Sequence, residues 1–225
     1  MVPEVLVSQA DCLPGHKTPD QFDRDELARI AVADQMRRVH HALVGLSHPT
    51  GELEALADRL SVEADRLSAG GPRVRDEVRW KRPDLMAAPI DGEEFPNAVD
   101  RPVSGRGNPW SVPLRVMRNG DRAEATVHLG KGYEGAPDRA HGGVVAAIYD
   151  DLFGFLLMFE HLVAFTAFIK VDYRAATPLG ADITFSTWIS SRDGRKLHMH
   201  GECVADGVVI TTAEALFIEM DLSNM

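Results

Sequence analysis

Two groups of residues in this chain have the types and spacing for chemistry. His141-Gly142-Gly143 opens an almost uncharged stretch, Ala140 to Phe159, and Asp150 and Asp151 sit in its middle. Read as a helix, the stretch has unpaired N–H donors and a partial positive charge at its start, and two glycines leave those donors uncovered. That end suits an anion, or an oxygen that gains charge during a reaction. Asp150 and Asp151 stand among Ala146, Ala147, Ile148, Leu152, Phe153 and Leu157, where an ionised carboxylate is costly unless something pairs or uses it. On periodicity alone the two aspartates are level candidates for a nucleophile or a general base.

The helix that must position these groups also separates them. At about 100° and 1.5 Å per residue, Asp150 lies about half a turn round and ~13 Å along from His141. One copy therefore cannot bring its carboxylate to its own N-terminal amides, but a second copy can. Two antiparallel copies of the helix in a symmetric dimer would form two composite sites, with amides polarising an oxygen while a carboxylate attacks or activates water.

The surrounding elements are legible in order. Residues 1–20 read as an irregular arm. Asp23 and Glu26 form an N-cap with its capping-box partner, and Val32, Met36, Val39, Leu43 and Leu46 make a helical stripe. After Ser47-His-Pro-Thr-Gly51, a second stripe of Leu53, Leu56, Leu60, Ala64 and Leu67 runs to Gly70-Gly71-Pro72, so 23–69 predicts a helical hairpin packed on the main domain or on a neighbouring subunit. His40 and His41 point about 100° apart and lack a Cys or carboxylate partner at ligand spacing, so they read as a solvated helix face. From Arg73 to Pro113, Pro83, Pro89, Pro96, Pro102, Pro109 and Pro113 argue against regular structure, and the segment reads as a long crossing over the domain surface. Trp80, Phe95 and Trp110 read as its anchors rather than as a pocket lining.

From Val112 the periodicity becomes two. Residues 112–118 and 122–129 flank Asn119-Gly120, a pair that favours a type I′ hairpin. Beyond the apolar helix, 163–174, 181–191, 196–205 and 208–220 read as strands, with Asp193-Gly194 and Asp206-Gly207 at turns. The pattern predicts an α+β fold, an antiparallel meander that must wrap round the helix to bury it. The divisions expected are 1–72 for the arm and hairpin, 73–110 for the proline-rich connection, and 111–225 for the sheet and its helix.

Composition narrows the partners. With 225 residues the chain can bury a substantial core, and 44% apolar and 26% charged residues are ordinary for a soluble globular protein. A net charge of −10 without a basic stripe argues against nucleic acid. Cys12 and Cys203 lack a C-x-x-C neighbour, and the first fifteen residues carry no apolar signal region, so a reducing, cytoplasmic setting is expected. Glu160 and His161 interrupt the span from Leu152 to Ile169, which predicts a buried helix followed by a strand and no membrane span.

His141-Gly142-Gly143, six residues, then Asp150, followed by Thr166-Ala-Phe-Ile-Lys-Val-Asp-Tyr173 and the Thr177-Pro-Leu-Gly180 turn, resembles the hotdog-fold acyl-CoA thioesterases of the PaaI-like clade. The likeness covers about 133–220. It implies hydrolysis of a fatty or aromatic acyl thioester, carried by coenzyme A or a carrier protein, without metal or redox cofactor. It assigns Asp150 as nucleophile or general base, the amide of Gly142 or Gly143 as the carbonyl polariser, His141 as support for that turn, and Thr166 as a helper on the next strand. It places each site between two subunits of a dimer or a dimer of dimers.

In that frame the apolar helix wall would hold the acyl chain and raise the basicity of Asp150 by desolvation. Tyr149 and Phe153 would shape the pocket. Arg139 would meet the phosphates of the carrier, as could Arg174, Arg195 and Lys196. Some members carry an asparagine about six residues before the histidine. This chain has Gly135 there, with Glu134 and Asp138 as the nearby polar substitutes.

Blander readings stand beside these. Asp150 and Asp151 could be structural acids, His141 a simple cap, and Thr166 an ordinary strand threonine, since it lies on the polar parity of its run. Two other function classes remain: a non-catalytic acyl-thioester binder, and a hydratase or dehydratase of the same fold, whose acid-and-histidine pair is not evident. No G-x-S-x-G elbow supports a serine hydrolase.

Overall fold

The computed structural model describes residues 22–73, 89–95, 99–112 and 114–220; Cys12, Trp80 and Pro83 lie outside them. Two helices come first, α1 (Arg24–Gly45) and α2 (Thr50–Ser68). The sheet contains β1 (Val116–Asn119), β2 (Arg122–His128), β3 (Ala164–Tyr173), β4 (Asp182–Asp193), β5 (Lys196–Ala205) and β6 (Val208–Glu219). Between β2 and β3 runs α3 (Gly142–Phe159), after a short 3-10 turn at Lys131–Tyr133.

This is the hotdog arrangement, with one qualification to the expected meander. The strand order is β1-β2-β4-β5-β6-β3, all antiparallel, so β3 leaves its sequence neighbours and pairs with β6 at the far edge. Four strand spacings of about 4.8 Å part β2 from β3. An 18-residue helix is ~27 Å long, enough to carry the chain between them.

The apolar character of α3 is accounted for by burial, since nine of its residues are buried. The sheet makes room for its large side chains by placing small ones inward: Ala123 and Ala125 on β2, Gly201 on β5, and Ala213 and Ala215 on β6. A Cβ on Gly201 would come within 2.8 Å of the Tyr149 ring. Ile183, Phe185, Leu197, Met199 and Phe217 close the core around Phe153 and Tyr149.

Turns and edges follow local chemistry. Asn119 pairs with Arg122, so the two-residue turn is Gly120-Asp121 rather than Asn119-Gly120. Gly120 has φ 61° and Asp121 stays out of the positive region, the pattern of a type II′ turn instead of I′. Asp206 and Gly207 both have positive φ, as I′ requires. Residues 92–95 bond along β1, through Gly92 N–H to Arg118 O and Phe95 N–H to Val116 O, covering that edge. Phe95, 1% exposed, is the anchor of this cover.

The capping box of Asp23 and Glu26 is present on α1. The face α1 buries differs from the expected stripe. Ile30, Ala33 and Arg37 face inward, while Val32, Met36, Val39, Leu43 and Leu46 are exposed, and α2 buries none of its residues. What α1 packs on is largely polar loop backbone, and this selects the side chains that can serve it. Arg37 donates to Arg106 O (2.8 Å), Asn108 O (2.6 Å) and Ser111 Oγ (3.2 Å), and pairs with Asp34. His41 likewise is no solvated residue: its Nδ1 accepts the Gly132 N–H at 2.8 Å, and its ring meets Tyr133 edge-on. Burial and the neighbouring His40 and Arg37 lower its pKa, keeping the acceptor nitrogen unprotonated.

Candidate active site

The start of α3 is built by a turn that leaves one donor open. Lys131 ties Glu134 (2.9 Å) and Asp138 (2.7 Å) together, and Glu134 also accepts the Asp138 N–H. The ammonium beside them holds both carboxyls below their usual range. Glu134 and Asp138 thus fasten the loop. Gly135 stands against His141, where a Cβ would lie 2.8 Å from the His141 Cα, so an asparagine side chain has no room at this position.

His141 is the N-cap of α3, and its Nδ1 accepts the Gly143 N–H at 3.0 Å. Of the two glycine donors expected to serve the site, Gly143 is therefore engaged. Gly142 N–H finds no acceptor among the described residues, while Gly142 O accepts from the Tyr173 hydroxyl at 2.7 Å. Tyr173 was missed in the sequence; its position at the end of the Thr166–Tyr173 run was the available signal. Arg139 is exposed on the loop that leads into His141.

Halfway along α3 the two aspartates part company. Asp150 is exposed on the single chain, and its Oδ1 accepts from the Thr166 hydroxyl at 3.0 Å. The burial expected of Asp150 belongs to Asp151, which is 8% exposed. Successive helix residues point about 100° apart, so one position can face out while the next is covered. Asp151 meets Arg101 Nη2 at 3.5 Å and bonds Ser104, and its Oδ2 has no hydrogen-bond partner. Burial, only partly offset by Arg101, raises its pKa.

Thr166 reaches Asp150 because β3 is bulged. Its pairing with β6 shifts between Thr166 and Phe168, leaving Ala167 as the extra residue. Before the bulge the even positions Ala164 and Thr166 turn toward α3. After it Ile169, Val171 and Tyr173 do. The polar parity read from the sequence is thus reversed at Thr166.

Tyr149 and Phe153 are corrections. Both are fully buried beneath the sheet: Tyr149 bonds Thr211 Oγ1 at 2.8 Å and meets Phe185, and Phe153 packs on Phe217. They face the opposite side of α3 from solvent and cannot line an open pocket. Burial pushes the Cys203 thiol up to about 12, which makes it a poor nucleophile. Among the described residues no cluster of His, Cys, Asp or Glu is placed to hold a metal ion.

The structure brings Asp150 to Thr166 and His141 to both glycines, and keeps these two groups ~12 Å apart along the helix. One is a carboxylate that accepts from a hydroxyl, the other an amide without an acceptor among the described residues at a positive helix end.

Residues 138–210 match the model of the Thioesterase superfamily. A 90-residue stretch is 31% identical to acyl-coenzyme A thioesterase THEM4 of Rattus norvegicus and 32% identical to that of Mus musculus, covering 39% of this chain and 39% of each relative. The chain thus spans well under half the length of these curated relatives. A crystal structure of a thioesterase superfamily protein superimposes with a TM-score of 0.71 at 27% identity, over 84% of this chain and 90% of that one. By motif, sheet order and these likenesses, the hotdog domain of this chain is similar to those of the thioesterase superfamily.

Proposed function

We propose that the protein hydrolyses acyl-CoA thioesters to a free acid and coenzyme A at sites shared by two subunits. The observation that carries this reading is the Thr166 hydroxyl on the Asp150 carboxylate at 3.0 Å, on the helix whose first amide, at Gly142, is uncovered. Thr166 occupies Oδ1, and Oδ2 of Asp150 takes a proton from water as the water attacks the thioester carbonyl. The Gly142 N–H of the partner subunit donates to the carbonyl oxygen as it gains charge. Collapse of the tetrahedral intermediate expels the thiolate, which takes up the proton, so water and thioester give acid and thiol. His141 orients the amide turn, and Arg139 beside it meets the carrier phosphates.

The second subunit is supported by the sheet edges. Residues 92–95 cover the β1 edge, whereas among the described residues β3 pairs only with β6 and leaves its outer edge open, with Phe165, Phe168 and Tyr173 each more than half exposed. An open apolar edge of this kind is a template for pairing. Pairing about a two-fold axis beside α3 would bring one copy's Asp150 toward the other's Gly142.

The test is free-thiol release from short, medium, long and aromatic acyl-CoAs by the wild type and Asp150→Asn. Loss of the general base lowers turnover by about 10²–10⁴-fold in a mutant that keeps its oligomeric state. A wild type that binds acyl-CoA and releases no thiol across the panel is a binding protein, and equal rates in both proteins remove Asp150 from the chemistry.

A further inference from the structure

β3 carries two side chains that reach α3 at separate points. Thr166 donates to Asp150 Oδ1 at 3.0 Å, and Tyr173 donates to Gly142 O at 2.7 Å. Their separation in sequence is odd, so in an unbroken strand they would face opposite sides of the sheet. The extra residue at Ala167 gives them a common face. One strand therefore bonds both the carboxylate and the helix start on which the proposed chemistry depends.

What Tyr173 holds is one end of a single peptide unit. Its hydroxyl is on the oxygen of the Gly142–Gly143 peptide, and His141 Nδ1 takes the N–H at the other end at 3.0 Å. The preceding unit, His141–Gly142, bears the open N–H, and its own oxygen accepts from the Val144 N–H at 2.9 Å. Gly142 is the joint between the two units, and a residue without a Cβ gives that joint little stiffness of its own. The donors of a first helical turn have no partner inside the helix to align them. The direction of the open N–H thus depends on what fixes the units on either side of the joint.

Tyr173 suits this task. It is 51% exposed and stands outside the buried core, so its hydroxyl is not needed to close the packing. Partial desolvation of the hydroxyl raises its pKa, which keeps it protonated and donating wherever a carboxylate base works. We infer that Tyr173 is a positioning residue: its hydroxyl and His141 clamp the Gly142–Gly143 peptide, so that the Gly142 N–H keeps the direction in which it meets the thioester oxygen. The inference rests on the thioesterase reading and adds to that site a residue outside its histidine-glycine motif. A donor aligned before the reaction acts on the charge that develops in the transition state, so the clamp bears on turnover more than on substrate binding.

The experiment measures kcat and KM for acetyl-, hexanoyl-, dodecanoyl- and benzoyl-CoA in the wild type, Tyr173→Phe, His141→Ala and the double variant. Phenylalanine keeps the ring and removes only the hydrogen bond. Tyr173→Phe should lower kcat by about 3–10-fold, the worth of one hydrogen bond, with KM changed by less than about twofold. Because both side chains hold one peptide, the double variant should lose less than the product of the two single losses. An active wild type whose kcat is unchanged in Tyr173→Phe, whose loss lies in KM, or whose single losses multiply in the double variant overturns the clamp alone. A wild type inactive on every substrate overturns the thioesterase reading and the clamp with it.

Discussion

Asp150 and Asp151 show how far neighbours in sequence can differ in physics. One carboxylate faces solvent with a threonine hydroxyl on it, and the other is buried against Arg101 with an unpartnered oxygen. The raised pKa of Asp151 has a sign that can be checked. Its folded form holds a proton more tightly than the unfolded chain, so its contribution to stability is fully present below the ordinary aspartate value of 3.8. That contribution is lost as pH rises through the raised folded value. Thermal melts of the wild type and Asp151→Asn across this range should show the wild type losing ground to the variant as pH rises; a constant difference would remove Asp151 as the source. Motif spacing singled out Asp150 in the sequence, but burial could not be assigned between the pair. The covering group, Arg101, lies in a proline-rich stretch without periodicity.

Helices and strands were legible wherever one period ran unbroken. The capping box, the hairpin of helices and the later strands follow from local pattern, whereas the face that α1 buries does not. Its counterpart is loop carbonyls, which call for Arg37 and His41 rather than leucine. The bulge in β3 was equally hidden, because a single extra residue leaves the composition unchanged while reversing the parity. Its presence makes an asymmetric prediction. Deleting Ala167 converts Ala164 to Tyr173 into a regular alternation with Thr166, Ile169 and Val171 still turned to α3, so that variant should fold and melt cooperatively. Deleting Val171 turns Asp172 inward and flips the rest of the strand, and should not yield a cooperative melt. Equal tolerance of both deletions would show that the register is not set as described.

On the scale of the whole molecule, residues 92–95 close one sheet edge, the β3 edge has no second strand among the described residues, and the proposed site draws on the start and the middle of one helix. Both features support the proposal of a second copy. Residues 101–112 meet α3 through Arg101, and α1 braces them through Arg37, which gives the N-terminal helix a place in the fold that no motif announced. The most direct test is subunit complementation. Gly142→Pro removes the open N–H at a helix position that tolerates proline, and His141 already has the extended backbone (ψ 131°) a following proline favours. Asp150→Asn removes the carboxylate. Each variant alone should be nearly inactive. When the two are unfolded together and refolded as an equal mixture, half of the dimers are mixed and each holds one intact composite site, so thiol release should recover to about one quarter of the wild-type rate. A mixture no more active than the two parents separately would contradict a site shared between subunits.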